Sequence, residues 1–343
     1  MKILVTGAAG FIGYHTVSHL LKQGYRVVGI DNLCNNKDIS LKTQRLALLG
    51  IDIKQAADGT RQEGRDGFQF IRMDVLDRRA VDELCREEQF STILHLAALT
   101  GSTKARTNPG VFCDTNVTGT MNMLEAARHN GVQHFLFSSS SCVYGDTAVS
   151  PLKEDDHVDT PLNMYAASKR AAELLCYSYA KSYGMPVTVF RLFTVFGPWA
   201  RPDSIPMQLA HRIMKGSEIR VLNNGHIIRD FTFIDDLMEG LDAALSSQPL
   251  SANGVNYALY NVGRGKPVSF LTFVQALEYA LSRTAEVVLD PASPLQLGEH
   301  IEMYADTSRM ERELAYSPVW DYEEAIPRFA DWFLANYNKT FRI

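Results

Sequence analysis

Three glycines near the amino terminus have the spacing of an anion-binding turn. Gly7, Gly10 and Gly13 form a G-x-x-G-x-x-G pattern between an apolar strand candidate and a helix candidate. Glycines here allow a sharp turn and a close approach of the backbone to a pyrophosphate, which the N–H groups of the helix N-terminus would bind. A tight strand-to-helix turn without a ligand is the alternative, but the surrounding elements favour a nucleotide.

An acidic residue at the end of the second strand candidate bears on the choice of nucleotide. At the position of Asp31, a carboxylate accepts hydrogen bonds from the adenosine ribose hydroxyls and repels a 2′-phosphate. The sequence therefore predicts NAD rather than NADP. The other predicted cofactor contacts lie in the glycine turn and at strand ends: Phe11, Ile12, Asn32, Asp74, Val75, Leu96, Ala97, Ala98 and Ser138. Asn116, near the start of a helix candidate, is a further predicted contact.

A tyrosine and a lysine could supply acid–base chemistry. Tyr165 and Lys169 are four residues apart in an alanine-rich helix candidate, so they share one helix face. A phenol with a pKa of about 10 is a poor base at neutral pH, but a neighbouring ammonium and an oxidised nicotinamide favour the phenolate. Tyr165 would then act as a base toward a sugar hydroxyl. This spacing is common on helices, but the glycine turn in the same chain favours the catalytic interpretation.

Four serines, Ser138–Ser141, follow another apolar strand candidate. Ligands of open parallel sheets bind at the carboxyl ends of the strands, so a hydroxyl here could share a proton with the substrate oxygen. A serine-rich turn that closes a strand is the alternative.

Short apolar segments alternate with helix-like segments over the first half of the chain. The strand candidates are Lys2–Thr6, Arg26–Asp31, Gln69–Asp74, Thr92–Leu96, His134–Ser138 and Thr188–Leu192. The helix candidates are Ile12–Gln23, Arg79–Gln89, Asn116–Asn130 and Tyr165–Tyr183. Repeated β-α-β units predict an α/β fold with a Rossmann-type, doubly wound parallel sheet. After about Phe193 the pattern becomes irregular, which predicts an NAD-binding domain over residues 1–192 and a smaller C-terminal substrate-binding domain over 193–343, with part of 230–262 returning to the first domain.

Composition excludes several classes of protein. The 343 residues include 34 Lys+Arg and 39 Asp+Glu, and a net charge of -5 argues against a nucleic-acid partner. We find no apolar run of about 18 residues, so no membrane partner is predicted. The first residues lack the features of a signal peptide, and we expect a cytoplasmic location. Five cysteines, an odd number without a C-x-x-C pair, indicate reduced thiols, and we predict no metal site.

These motifs together resemble the extended short-chain dehydrogenase/reductase family of nucleotide-sugar epimerases and dehydratases. The segments TGAAGFIG, DNL, HLAA, SSSSCVYG, YAASK, RLFTVFGP and RDFTFIDD occur in the family's order. The resemblance implies that Tyr165 is the base, that Lys169 lowers its pKa and holds the nicotinamide ribose, and that Ser140 completes the triad. It also implies a homodimer, in which the helices Asn116–Asn130 and Tyr165–Tyr183 pair into a four-helix bundle.

The same resemblance indicates where a UDP-sugar would bind. Phe193 is implied beside the nicotinamide, Thr194 near the sugar or diphosphate, and Arg229 on the diphosphate. Dehydratases of this family have an Asp-Glu pair where this chain has Ser141 and Cys142, so an epimerase is favoured.

The segment from Phe193 to Asp203 is similar to that of UDP-glucuronate 4-epimerases, whose substrate carries a carboxylate. Ser141, Thr194 and Arg201 are candidates to bind this group. In two places the chain departs from that pattern. It has Gly101-Ser102-Thr103-Lys104 instead of G-V-R, which leaves Lys104 or Arg106 to substitute for the arginine, and Cys142 instead of serine.

Two alternatives therefore stay open. A neutral UDP-hexose such as UDP-glucose or UDP-N-acetylglucosamine would be the substrate of a related 4-epimerase. A catalytically silent NAD-binding sensor would use the same fold without chemistry. The complete set of Tyr165, Lys169 and Ser140 argues against the sensor, which would not need it.

Overall fold

The computed structural model describes residues 1–34, 39–146, 149–249, 254–297 and 299–340. The strands are β1 Lys2–Thr6, β2 Arg26–Asp31, β3 Arg61–Glu63, β4 Gln69–Arg72, β5 Thr92–His95, β6 His134–Ser140, β7 Val187–Leu192, β8 Thr194–Phe196, β9 Ile219–Val221, β10 Ile228–Arg229, β11 Phe231–Phe233, β12 Tyr257–Val262, β13 Val268–Ser269, β14 Val287–Leu289 and β15 Glu302–Met303. The helices are α1 Phe11–Lys22, α2 Ile39–Leu48, α3 Arg78–Glu88, α4 Ser102–Thr107, α5 Pro109–Cys113, α6 Gly119–His129, α7 Met164–Tyr183, α8 Ile205–Lys215, α9 Ile234–Ser246, α10 Phe270–Leu281, α11 Ser308–Leu314 and α12 Tyr322–Thr340.

A large sheet dominates the first half of the chain. Its strand order is β12-β7-β6-β5-β1-β2-β4-β3. β1 pairs in parallel with both β2 and β5, β2 with β4, and β5 with β6, whereas β3 is antiparallel to β4. The strand order changes direction at β1, and ligands of doubly wound sheets bind beside such a switch point. The predicted Rossmann-type α/β fold is confirmed.

The chain divides into two compact units, each built from three segments. The first comprises Met1–Val143, Asn163–Arg191 and Ala244–Tyr260; the second comprises Tyr144–Leu162, Leu192–Ala243 and Asn261–Ile343. The sequence prediction divided the chain after residue 192 and returned part of 230–262 to the first domain. The segment before α7 belongs to the second unit, and Ala244–Tyr260 belongs to the first because most of β12 extends the large sheet beside β7.

The core of the first unit lies between the large sheet and the helices that follow its strands. Val27, Val28 and Ile30 of β2 are at most 1% exposed. Such continuous apolar strands are expected where a parallel sheet is covered on both faces. Cys85 and Cys176 are fully buried in this core, and burial raises the pKa of the Cys85 thiol to about 12. Both thiols therefore behave as small apolar side chains.

The second unit contains three small sheets, with strand orders β13-β10-β15, β11-β8 and β14-β9. Aromatic rings fill its core: Phe231 stacks on Phe273 with ring centroids 3.7 Å apart, and Phe196 meets Phe273 edge-on at 5.5 Å. The buried carboxylate of Asp230 accepts backbone N–H bonds from Arg264, Gly265 and Ala305. Asp230 directly precedes β11, so its carboxylate connects the start of β11 to the loops that follow β12 and β15.

Over the ranges that the structure describes, none of the helices combines the length and the apolar content needed to cross a lipid bilayer.

Candidate active site

The glycine turn joins β1 to α1 with a geometry that requires small residues. Gly7 has φ +69°, and the Gly10 N–H donates to the Gly7 carbonyl at 2.8 Å. A Cβ atom added to Gly13 would lie 2.1 Å from that same carbonyl oxygen. Gly10 is the N-cap of α1, so no capping side chain covers the first N–H groups of the helix. The turn thus exposes backbone donors, together with the positive end of the helix dipole, to an anion.

Asp31 lies beside this turn, at the carboxyl end of β2. Its Oδ2 accepts the Ala9 N–H at 3.2 Å, and its Oδ1 accepts the Leu33 N–H and the Lys42 ammonium, both at 2.8 Å. Arg45, fully buried, donates from Nη1 to the Ala9 carbonyl at 3.0 Å. Sequence reasoning did not select these two cations of α2. Their three-residue spacing places them on one helix face, but nothing in the sequence indicates that this face is buried.

The other predicted cofactor residues of the first unit lie at neighbouring strand ends. Asn32, after β2, donates to Asp74 Oδ2 at 2.9 Å, and Asp74 follows β4. The N–H groups of Leu96 and Ala97, which follow β5, both donate to the Thr6 hydroxyl, at 3.1 and 3.0 Å. Val75 is buried and Ala98 partly buried. The structure thus brings these residues to the same edge of the sheet as the glycine turn.

A buried polar chain connects that edge to the helix after β5. The imidazole of His95 is bonded on one nitrogen to Thr6 at 2.8 Å and on the other to Thr120 at 3.1 Å. Burial lowers the pKa of His95 to about 3, so the ring is neutral. Thr120 in turn donates to the Asn116 carbonyl at 2.6 Å. This neutral histidine fixes the end of β1 against the helix, a link that sequence reasoning missed although His95 stands inside the HLAA motif.

Asn116 lies inside a helix rather than near its start. The helix begins with Pro109, whose missing N–H suits a first turn, and Asp114–Thr118 forms a π-helical turn between α5 and α6. The Asn116 side chain accepts the Leu99 N–H at 2.8 Å and donates to the Leu99 carbonyl and to Ser168, at 3.0 and 2.9 Å. Ser168 donates to the Tyr165 carbonyl at 2.8 Å. Asn116 therefore connects the loop after β5 to the helix of the predicted base.

Helix α7 carries the tyrosine and the lysine. The Asn163 side chain caps the helix by accepting the Ala166 N–H at 3.0 Å. Tyr165 is partly buried, with its ring edge-on to Phe112. The Lys169 ammonium donates to the Ser138 carbonyl at 2.6 Å and lies 4.8 Å from the centre of the Phe137 ring. Lys169 is 3% exposed, and burial lowers its pKa to about 8.

The serine segment lies directly beside this lysine. Ser138 to Ser140 end β6, and Ser141 opens the short helical turn that follows. Ser139, Ser140 and Ser141 are all buried. The Ser140 hydroxyl accepts the Cys142 N–H at 3.2 Å, which turns the chain away from the sheet. The structure thus joins β6 and α7 through Lys169 and the carbonyl of Ser138.

The predicted substrate residues of the second unit are held as follows. The Phe193 N–H donates to the Val262 carbonyl, and the Thr194 N–H to that of Asp230. Arg201 forms an ion pair with Asp203 at 3.0 Å. Arg229 is 7% exposed and donates to the carbonyls of Ile228, Ile301 and His300 at 2.8–3.0 Å. Their predicted roles toward a sugar or a diphosphate stay predictions.

These features are typical of a nucleotide-binding fold with a candidate site for proton transfer. They are a glycine turn at a sheet switch point, an acidic residue on the next strand, and a Tyr-x-x-x-Lys helix beside a strand that ends in serines. Residues 3–263 match the NAD dependent epimerase/dehydratase family, and the chain belongs to it. This membership confirms the predicted relation to the extended short-chain dehydrogenases/reductases.

Known relatives extend over the whole chain. A probable UDP-glucuronate 4-epimerase of Rhizobium meliloti is 34% identical over 353 residues and covers 99% of either chain. The crystal structure of UDP-glucuronic acid 4-epimerase from Bacillus cereus, in complex with UDP-glucuronic acid and NAD, has a TM-score of 0.84 at 31% identity and covers 98% of this chain and 100% of that one. A UDP-glucose 4-epimerase of Thermotoga maritima, solved with UDP-glucose, has a TM-score of 0.83 at 25% identity, with 98% and 100% covered.

Proposed function

We propose that this protein is an NAD-dependent isomerase that interconverts UDP-glucuronate and UDP-galacturonate at C4 of the sugar. The observation that carries the proposal is the buried Lys169 ammonium, bonded to the end of β6 and one helical turn from Tyr165, in a chain 34% identical to a probable UDP-glucuronate 4-epimerase. An ammonium beside a phenol is the arrangement that makes a tyrosine a base near neutral pH.

The residues present fit NAD. A Cβ on Gly13 would collide with the Gly7 carbonyl, so glycine lets α1 begin directly against the turn. The turn and the start of the helix would hold a pyrophosphate through Gly7, Gly10, Phe11, Ile12 and Gly13. The Asp31 carboxylate would accept the adenosine ribose hydroxyls. The remaining predicted contacts are Asn116, in the helix after β5, and residues at the strand ends: Asn32, Asp74, Val75, Leu96, Ala97, Ala98, Ser138 and Phe193.

The chemistry divides between cofactor and protein. When bound, NAD would supply the acceptor for the hydride of sugar C4 and the donor that returns it to the other face. Tyr165 takes the proton of the 4-hydroxyl and gives it back, while the Lys169 ammonium favours the phenolate and holds the nicotinamide ribose. The Ser140 hydroxyl shares a proton with the same sugar oxygen. No net oxidation results, so no second substrate is needed.

A residue directly after β6 and residues of the second unit would recognise the sugar and the diphosphate. Ser141 and Thr194 would donate hydroxyls to the uronate carboxylate, with Arg201 as the charged partner, and Arg229 would bind the diphosphate. Arg201 is shared with Asp203, so it would have to exchange partners on binding.

A panel of UDP-sugars tests the assignment. The purified protein is incubated with UDP-glucuronate, UDP-glucose and UDP-N-acetylglucosamine, and the products are separated by chromatography. We expect UDP-galacturonate from the first and at least tenfold slower turnover of the others. Preferred turnover of a neutral sugar would support the relation to UDP-glucose 4-epimerases and give functional meaning to Thr103 and Cys142. Tight NAD binding with no turnover of any sugar would instead support the sensor.

Two further parts of the proposal concern the state of the protein. We infer a homodimer, supported by side chains on α6 and α7 that are exposed in the single chain: Met121, Leu174, Tyr177 and Tyr183 are 39–54% exposed. We also place the protein in the cytoplasm, with UDP-sugars rather than nucleic acids or membranes as its partners. This is supported by its net charge of -5 and by its five cysteines, none of which forms a disulfide within the described residues.

A further inference from the structure

A buried ion pair lies directly behind the catalytic strand end. Glu173, on α7, is 0% exposed, and Arg191, on β7, is 1% exposed. The guanidinium donates from Nε to Oε1 at 3.0 Å and from Nη2 to Oε2 at 2.9 Å, a bidentate geometry. Arg170 adds a third bond to Oε2 at 3.2 Å. Two charges removed from water in this way cost several kcal/mol each to desolvate, so the pair is weak evidence for a purely stabilising role.

The pair reaches the active site through a serine. The Ser139 hydroxyl donates to Glu173 Oε1 at 2.6 Å. Ser139 stands between Ser138, whose carbonyl binds Lys169, and Ser140, the predicted hydroxyl of the triad. One carboxylate therefore fixes the middle residue of the segment whose two neighbours serve the reaction.

The same carboxylate lies one helical turn beyond Lys169. The groups that face this ammonium are the Ser138 carbonyl and the Phe137 ring on β6, the neutral His95 on β5, and Glu173 and Cys176 on its own helix. Burial raises the pKa of the Cys176 thiol far above neutral, so this thiol carries no charge. Glu173, the ion-pair partner of Arg191, is the carboxylate among these neighbours, and a negative charge there favours the protonated lysine.

We propose that Glu173, clamped by Arg191, is a positioning residue for the epimerisation: it orients Ser139 and thereby Ser138 and Ser140, and it keeps Lys169 charged beside Tyr165. The inference rests on the proposed function. Turnover by the wild-type enzyme tests that function, whereas the ratio of variant to wild type tests the role of Glu173.

The experiment compares Glu173→Gln with Glu88→Gln in the NAD-loaded enzyme. Glu88 is a matched control, because it is also a buried carboxylate in an ion pair, with Lys2 and Arg61, but lies at the other end of α3 from the site residues Asp74 and Val75. For Glu173→Gln we expect kcat to fall about 100-fold with KM changed less than threefold, as for a small misplacement of catalytic groups. We also expect the acidic limb of the kcat–pH profile to move to higher pH, because a less charged Lys169 favours the phenolate less. Glu88→Gln should keep the wild-type kcat and profile.

The serine arm is tested separately by Ser139→Ala, which leaves both charges in place. We expect kcat to fall about tenfold without a shift of the acidic limb. Two outcomes would overturn the proposal. One is a wild-type kcat in both Ser139→Ala and Glu173→Gln. The other is an equal loss of kcat in Glu88→Gln and Glu173→Gln, without a shift of the acidic limb in Glu173→Gln. If Glu173→Gln does not fold, Ser139→Ala decides: a wild-type rate there would reject the positioning role.

Discussion

Burial of the Lys169 ammonium has opposite consequences for stability and for the proposed chemistry. The group is bonded to the Ser138 carbonyl and has Glu173 one helical turn away, but burial outweighs both and lowers its pKa to about 8. A lysine whose pKa is lowered in the native state costs folding free energy at every pH below its unfolded pKa, and most where the native group is protonated too. The destabilising charge lies one helical turn from Tyr165, where it would favour the phenolate.

Lys169→Met should therefore stabilise the protein while it inactivates it. We expect the free energy of unfolding at pH 7 to rise by roughly 1–3 kcal/mol, since a buried charge is replaced by an apolar side chain. The gain should be complete below pH 8 and shrink as the pH rises toward 10.5, because the unfolded lysine then loses its proton too. Denaturant titrations at several pH values measure this. Lys181→Met, on the exposed part of α7, is the control and should show no such trend.

Tyr165→Phe should lower kcat by about 100- to 10,000-fold, the usual contribution of general acid–base catalysis. The circular dichroism spectrum and the NAD content should stay those of the wild type. Tyr279→Phe, which changes a tyrosine that is 90% exposed on α10, serves as the matched control. A Tyr165→Phe variant with near-normal turnover would remove the tyrosine from the mechanism.

Sequence reasoning found the site residues that lie close together in the chain. Tyr165 and Lys169 are four apart on one helix, and Gly7, Gly10 and Gly13 lie in one turn, so the two spacings together in one chain selected them. Glu173 and Arg191 come from separate elements, and their pairing depends on the distance between α7 and β7. A sequence pattern shows each charge but not its burial, so the sequence could not predict this ion pair.

At the scale of elements, the turn between β1 and α1 is the most constrained segment of the first unit. Gly13→Ala would force a Cβ to within 2.1 Å of the Gly7 carbonyl, so the turn must shift. We expect a loss of about 1–3 kcal/mol in the free energy of unfolding, as for overpacked sites, and at least tenfold weaker NAD binding. Fluorescence titration with NADH and chemical denaturation measure the two effects.

The control is Gly110→Ala, where an added Cβ meets nothing within 4 Å. Equal losses of stability and NAD affinity in Gly110→Ala and Gly13→Ala would contradict the requirement for glycine at position 13.

The elements themselves were predicted to different degrees. The bounds of β1 and β2 match the sequence prediction, because apolar runs end at Gly7 and Asp31. The helix expected from Asn116 instead begins at Pro109 and passes through a π-helical turn. The mistake has a physical reason: a π turn adds a residue, which breaks the regular apolar spacing on which the prediction depended.

For the whole molecule, the proposed dimer predicts a mass of about twice 38.3 kDa by light scattering. Leu174→Arg places a charge on an exposed apolar position of α7 and should yield the single-chain mass. Leu289→Arg, at a similarly exposed position on β14 of the second unit, should leave the mass unchanged. A single-chain mass for the wild type would reject the dimer.

Each unit is built from three separate segments of the chain, so the first unit cannot be completed until its last segment has been synthesised. The first unit needs Ala244–Tyr260 to supply most of β12, the edge strand beside β7. A nascent chain that has left the ribosome only as far as residue 243 therefore exposes an unpaired sheet edge, which is prone to misassociation. A chimera joined once at residue 192 would have the same defect. Replacing the second unit by that of a relative thus requires exchange of all three of its segments.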